Sequence, residues 1–288
     1  MTTRTWFITG ASAGFGRAMT ERLLGRGDRV AATARRPERL ADLAEKHGDL
    51  LWTAALDVTD TATLRAVVEK AFADLGRIDV IVSNAGYATF GAAEELSDAA
   101  IEAQLATNLL GPVQLTRAVL PHLRAQGGGR IVQLSSVGGQ VAFPGGNLYH
   151  ATKWGVEGFF ESVMLEVAPF GIGITLVEPG VARTGFGHAL DVAPALAAYA
   201  DTPVGQLRGY VEAPEGVTAG GPGDPDKVAD AILASVDVSP APRRLTLGSD
   251  AYQSMHAALT GRIGELEAGR DIAFSTDFAG ARQTEWAS

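Results

Sequence analysis

The sequence predicts an α/β fold in which helices cover both faces of a doubly wound parallel sheet of about seven strands. Two observations carry that prediction. Short apolar runs rich in Val, Ile, Leu and Ala alternate with longer stretches of helical periodicity. Runs that are apolar on both faces are what fully covered parallel strands require. A cluster of three glycines, Gly10, Gly14 and Gly16, also follows the first apolar run and opens the first helical pattern, which is where such a sheet binds its ligand.

Taken in order, the strands are expected at residues 4–9, 29–34, 51–56, 78–82, 130–135, 173–178 and 243–247. Helices are expected at residues 14–26, 37–47, 60–75, 98–125 and 149–169. Thr59-Asp60 and Ser97-Asp98 supply start signals, the second followed by Ile101 and Leu105 at helical spacing. Pro112 is expected to bend or interrupt the long fourth helix, because it has no N–H to donate. The alternation implies right-handed crossovers. Residues 185–225 break the rhythm. They are rich in Gly, Ala and Pro, with Phe186, Leu190, Leu196, Tyr199, Leu207 and Tyr210 interspersed, and a loop that long in a compact domain is functional or disordered. Residues 249–268 read as an amphipathic helix with Met255, Leu259, Ile263 and Leu266 on one side. The tail 270–288 matches no motif. No linker or repeat divides residues 1–288, so one domain is expected, with 249–288 as a C-terminal extension.

The 288 residues are 46% hydrophobic and 20% charged, enough apolar material for a sizeable core. The net charge is −9 and no long basic run exists, which argues against nucleic acid or an anionic membrane as partner. No cysteine is present, so there is no disulfide framework or thiolate metal site. His47, His122, His188 and His256 form no ligand spacing, and no metal is expected. No stretch of about 20 apolar residues could span a bilayer. Met1 to Thr5 runs straight into Trp6-Phe7-Ile8, leaving no room for a secretion signal. A soluble, cytoplasmic protein is the expectation.

The chemistry-bearing residues form two groups. The first is the turn Thr9-Gly10-Ala11-Ser12-Ala13-Gly14-Phe15-Gly16. Glycine permits the tight turn and lets the backbone approach a pyrophosphate, while the following helix start offers unpaired N–H groups. Strand two ends Ala34-Arg35-Arg36. A free ribose wants a carboxylate there, whereas a 2'-phosphate wants an arginine that can fork onto it. The second group is Ser136 at the end of strand five, with Tyr149 and Lys153 thirteen and seventeen residues on. A phenol ordinarily titrates near about 10, so at pH 7 about one molecule in a thousand is ionised, and bringing it to about 7 takes roughly 4 kcal/mol. Lys153, one helical turn away on the same face, is placed to supply that. The Ser136 hydroxyl can bond a substrate oxygen and stabilise developing charge. His150 could be a base or structural; its different helix face favours the structural role.

With T-G-x-x-x-G-x-G, the serine and Y-x-x-x-K in this order and spacing, residues 4 to 250 resemble the short-chain dehydrogenase/reductase family. The resemblance implies a Rossmann-type sheet with strand order 3-2-1-4-5-6-7. It implies an NADP(H)-dependent ketone reductase or alcohol dehydrogenase, because Ala34 stands where NAD-preferring relatives carry Asp and Arg35 follows. A basic residue that the family also uses, just before the second glycine, is Ala13 here. The implied cofactor-binding residues are Gly10, Ser12, Gly14, Phe15, Gly16, Arg35, Asp57, Val58, Asn84, Ala85, Gly86, Tyr149, Lys153, Pro179, Gly180 and Thr184. Asp57 would meet the adenine amino group, although a helix cap is the alternative. Val58 would flank the ring, and Thr184 would bond the nicotinamide carboxamide. Ser83 replaces the first Asn of the family's N-N-A-G. The implied catalytic set is Ser136, Tyr149, Lys153 and Asn108, the last holding a water in a relay to the lysine. Residues 185–225 would be a substrate lid, and homodimers or homotetramers would pack through the helices at 98–125 and 149–169.

Phe90, Val137, Val141, Phe143, Phe186 and Tyr199 are expected to line an apolar pocket for a hydrophobic ketone or secondary alcohol such as a steroid, polyketide or aryl ketone. An epimerase or dehydratase, or a cofactor-binding regulator without turnover, are the alternatives.

Overall fold

A computed structural model describes residues 3–187, 190–213 and 220–278. His188 and parts of the expected lid and tail therefore lie outside the described residues. Seven strands form one parallel sheet: β1 (Thr5–Thr9), β2 (Arg29–Ala34), β3 (Leu51–Ala55), β4 (Val80–Ser83), β6 (Gly129–Leu134), β7 (Ile172–Pro179) and β9 (Arg244–Leu247). Their order is β3-β2-β1-β4-β6-β7-β9. Two short strands, β5 (Thr89–Phe90) and β8 (Asp191–Val192), pair separately with each other. Leaving those two out, the order is the expected 3-2-1-4-5-6-7.

The sheet is covered on both faces because its strands are apolar on both. Phe7, Ile81, Ile131 and Leu176 face α3 (Thr61–Leu75), α5 (Gly111–Ala125) and α6 (Asn147–Val167), meeting Leu64, Val68, Leu115, Val119 and Phe160. Trp6, Ile8, Val80, Val82 and Val132 belong to the other core, with Met19 and Leu23 of α1 (Gly14–Gly25) and Ala229 and Ile232 of α8 (Pro225–Ser235). The strand order reverses between β1 and β4. At such a reversal the connections leave in opposite directions, and a crevice opens at the carboxyl ends of the strands.

Local signals set several helix starts. Asp60 caps α3 by accepting from the Ala62 and Thr63 N–H groups. Ser97 caps α4 (Asp98–Leu105) through the Ala100 N–H. The helix expected at 98–125 is not continuous. A π-helical stretch, Ala106–Leu110, separates α4 from α5 and carries Asn108. The irregularity lies just before Pro112, which has no N–H to give to the helical ladder. The described residues between 185 and 225 contain regular elements that were not expected, β8 and α7 (Pro203–Val211). Helix α8 went unforeseen, although Asp224 caps it and Pro225 opens it. In α9 (Ser249–Ala268) Met255 is buried against Val137, whereas Leu259, Ile263 and Leu266 are 42%, 56% and 75% exposed. The expected apolar stripe is thus covered only at its start.

Candidate active site

The turn after β1 is built for close backbone approach. Gly10 has φ +67 and Gly14 φ +52, conformations that suit glycine. A Cβ on Gly16 would collide with the Gly10 carbonyl oxygen, and one on Gly10 would come within 3.0 Å of the Ala85 Cα. A Cβ on Gly14 would meet nothing, so the turn faces an open cradle. Ala13 precedes α1 and offers no side-chain cap, which leaves the first N–H groups of the helix without one. Asn84 stitches the turn from the next strand: its Nδ2 donates to the Thr9 and Gly10 carbonyls at 2.9 and 3.1 Å. The Thr9 hydroxyl accepts from the Asn84 and Ala85 N–H groups. Phe15, in the first turn of α1, packs partly buried against the core, and Ser12 is half-buried in the turn.

Arg35 is exposed at the end of β2 and forms no ion pair with another described residue. Arg17, by contrast, is committed to Glu21 and Asp42. The Asp57 carboxylate accepts from the N–H and hydroxyl of Thr59 at 2.9 and 2.7 Å, so it closes a local turn. Val58 is buried in the core, close enough to Gly111 that a Cβ there would touch it at 3.0 Å. It underlies the helix junction. Pro179 is buried at the end of β7. Gly180 and Val181 lie against Asp250 of α9, whose Oδ2 accepts from the Val181 N–H at 2.7 Å. The Thr184 hydroxyl accepts from the Phe186 N–H.

Ser136, Tyr149 and Lys153 come together at the carboxyl ends of β6 and the start of α6. The Ser136 Oγ accepts from the Gly138 N–H at 3.0 Å, so its own proton is available to another oxygen. Burial pushes the Tyr149 phenol up to about 12, against a smaller opposing effect from its hydrogen bond with Ser136. Lys153 Nζ lies 5.6 Å from the centroid of the Tyr149 ring and donates to the Leu134 carbonyl at 2.8 Å. Burial brings Lys153 down to about 8, opposed by the Glu157 carboxylate one turn further along α6. In this geometry burial outweighs any lowering of the phenol by the lysine. The ammonium sits against the ring rather than on the hydroxyl, and desolvation dominates both groups. Asn108 is brought to the same helix by a different route. Its Nδ2 donates to the Tyr87 carbonyl at 2.7 Å and reaches the Thr152 hydroxyl at 3.4 Å, and its Oδ1 accepts from the Tyr87 N–H. The side chain thus fixes the backbone beyond Asn84-Ala85-Gly86.

Two groups around the site were not foreseen. Glu157 is buried and takes hydrogen bonds from the Ser135 hydroxyl at 2.5 Å, Gln140 and Arg244. Arg244 also holds the buried Glu178 and the more exposed Glu161. Glu95 is fully buried and paired with Arg208 of α7 at 2.5 Å. Its other oxygen accepts from the Leu196 N–H. Of the expected pocket residues, Phe186 stands 6.1 Å from the Tyr149 ring, while Val137 and Val141 pack together near α9. Phe90 is buried beneath Arg208, and the Tyr199 hydroxyl is engaged by Glu94. Both residues thus pack with the Glu94–Glu95 stretch and with α7.

Comparisons with known proteins bear on the family and the fold. Residues 4–193 match the family model described as short chain dehydrogenase. The chain is 39% identical over 252 residues to Oxidoreductase BOA17 of Botryotinia fuckeliana, covering 87% of this chain and 91% of that one. A crystal structure of a short-chain dehydrogenase from Streptomyces avermitilis superposes with a TM-score of 0.89 at 40% identity, covering 96% of this chain and 100% of that one. An alcohol dehydrogenase from Thermococcus sibiricus, complexed with 5-hydroxy-NADP, matches with a TM-score of 0.70 at 26% identity, covering 86% and 97%.

Proposed function

Because this chain belongs to the short-chain dehydrogenase/reductase family, whose members are oxidoreductases acting on alcohols and carbonyls, we propose that it interconverts a hydrophobic ketone and its secondary alcohol using NADP(H). The observation that carries the reading is the cluster of Ser136, Tyr149 and Lys153 on the same sheet edge as the glycine turn. The residues fit the cofactor. The open cradle beside Gly14 and the uncapped start of α1 suit a pyrophosphate, and the unpaired Arg35 suits a 2'-phosphate. NADP-bound relatives such as the Thermococcus enzyme support that choice.

When bound, NADPH supplies the hydride that adds to the carbonyl carbon. Tyr149, a phenol at neutral pH, gives its proton to the carbonyl oxygen as negative charge develops there. Ser136, with one lone pair taken by the Gly138 N–H, donates its own proton to the same oxygen and orients it. Lys153 uses one of its three protons on the Leu134 carbonyl. The others remain for the ribose hydroxyls, and its charge beside the ring favours the phenolate as the proton leaves. Asn108 holds the Tyr87 backbone and couples it to α6. The segment 185–225 covers the substrate, a role supported by Phe186 beside Tyr149.

The test is turnover of purified protein with a panel of alkyl and aryl ketones and either NADPH or NADH, with the alcohol products identified. NADPH consumption matched by alcohol formation, faster than with NADH, is the expected result. Tight NADPH binding without turnover of any ketone or alcohol would point instead to a cofactor-binding regulator.

A further inference from the structure

His150, next to the tyrosine, is buried, and both its ring nitrogens are engaged. Nδ1 lies 2.9 Å from the Gly138 carbonyl oxygen, and Nε2 lies 2.9 Å from the Phe143 backbone nitrogen. The partners fix the tautomer. A carbonyl can only accept, so Nδ1 carries the hydrogen; a backbone N–H can only donate, so Nε2 presents a lone pair. The ring has been given its space by glycines. A Cβ on Gly138 would come within 2.9 Å of Nδ1, and one on Gly146 within 2.6 Å of Nε2. The loop that His150 spans, residues 137–146, carries Val137, Val141 and Phe143. The Phe143 ring lies 5.5 Å from the imidazole, and Phe186 lies 6.1 Å from Tyr149. Two phenyl rings, 45% and 40% exposed, therefore flank the Tyr149–His150 pair.

We propose that His150 is a positioning residue that, as a neutral imidazole, braces the loop 137–146 and sets Phe143 as the wall that selects aryl ketones. The proposal rests on the reductase reading for its substrate, but the brace itself does not. A proton on Nε2 would face the Phe143 N–H donor to donor, so the wall is held only while the ring is neutral. Burial keeps the imidazole below its usual range. Among the described residues the groups facing the ring are few. From α6 there is Tyr149, which stays a neutral phenol wherever a histidine titrates. From the loop there are backbone groups and the Phe143 ring. The nearby Glu157 carboxylate lies against Gly139 and is held by Ser135, Gln140 and Arg244.

The experiment has an arm that needs no turnover. In the unmodified protein near pH 7, ¹⁵N chemical shifts of the His150 ring are expected to show a protonated Nδ1 and an unprotonated Nε2, and the Phe143 amide is expected to exchange slowly. His150→Phe is expected to lose that amide protection. His150→Gln, whose amide can both donate and accept, is expected to keep it. Protonated Nε2 near pH 7, or equal Phe143 protection in all three proteins, would overturn the brace. The kinetic arm compares acetophenone with acetone. In His150→Phe the KM for acetophenone is expected to rise about five- to tenfold, the loss of one or two hydrogen bonds, with acetone little affected and the smaller change on kcat. His150→Gln is expected to restore the acetophenone KM. The unmodified enzyme is expected to lose acetophenone affinity on acidification below the ordinary imidazole range, and His150→Gln to lose less. A fall in kcat at constant KM for both ketones would make His150 a proton-transfer residue and sink the proposal. Absence of turnover in the unmodified enzyme would defeat the reductase reading and leave the exchange and ¹⁵N results to judge the brace.

Discussion

At Tyr149 desolvation and the hydrogen bond with Ser136 pull in opposite directions, and desolvation wins. The buried phenol therefore keeps its proton at neutral pH, the form a proton donor to a ketone needs. Tyr149→Phe is expected to bind NADPH normally and lose at least about a hundredfold in kcat, the lower end of what general acid catalysis contributes. Single-turnover and fluorescence-binding measurements would separate the two effects, and retention of more than about a tenth of kcat would remove Tyr149 from the chemistry. Lys153 gives the pH dependence. Burial brings its ammonium down to about 8, so the charge is present below that pH and is lost above it. A pH–rate profile for ketone reduction should be level through neutrality and decline above about 8, and a level profile up to about pH 10 would contradict this. Arg35 has no ion pair to break among the described residues. Arg35→Ala is thus expected to cost about 1.5–3 kcal/mol in NADPH binding and nothing comparable with NADH. Calorimetric titration of both cofactors checks this, and equal losses would leave Arg35 without a cofactor role. The proximity of Tyr149 and Lys153 was legible in the sequence because the two lie one helical turn apart. The actual settings of Asp57, Val58 and Asn108 were not, because their partners are chosen by packing.

At the scale of elements, the described part of the segment after β7 is docked against the rest of the chain. Strand β8 pairs with β5, the Leu196 N–H reaches Glu95, and Arg208 of α7 donates to both Glu95 and the Ala193 carbonyl at 2.5 and 2.6 Å. Glu95 and Arg208 are 113 residues apart, so no local pattern announces the pair. The Gly and Pro content that suggested a long irregular loop also hid α7 and α8, whose openings at Pro203 and Asp224-Pro225 read equally well as turns. Removing one partner of a buried pair strands the other charge, at a cost of about 3–5 kcal/mol. Arg208→Ala is accordingly expected to release this cover locally. The Asp191, Ala193 and Leu196 amides would exchange faster, and KM for the ketone would rise, while the Tm of the sheet changes less. Unchanged exchange at those amides would mean that the strand pairing alone holds the segment.

For the whole molecule, the last strand is held by charge as much as by the ladder. Arg244 of β9 joins Glu157 of α6 and Glu178 of β7, across separations of 87 and 66 residues. Both carboxylates are almost wholly buried. Arg244→Leu is expected to leave them uncompensated and lower Tm by about 10 °C, from a loss of about 3–5 kcal/mol, as read by calorimetry. An unchanged Tm would mean the two carboxylates find protons or water instead. The alternation of strands and helices was legible from the binary pattern and the strand order from the family resemblance, whereas this network needed the folded chain. The parallel sheet has a further use. All seven strands end at the edge that carries the candidate site, so the opposite edge is made of their starting turns, including the end of α5, where Ala125 is exposed and β6 follows at Gly129. The chain contains no cysteine. A single thiol introduced as Ala125→Cys would therefore be a unique chemical handle, and molecules tethered through it to a solid support would all present their reactive edge to the solution.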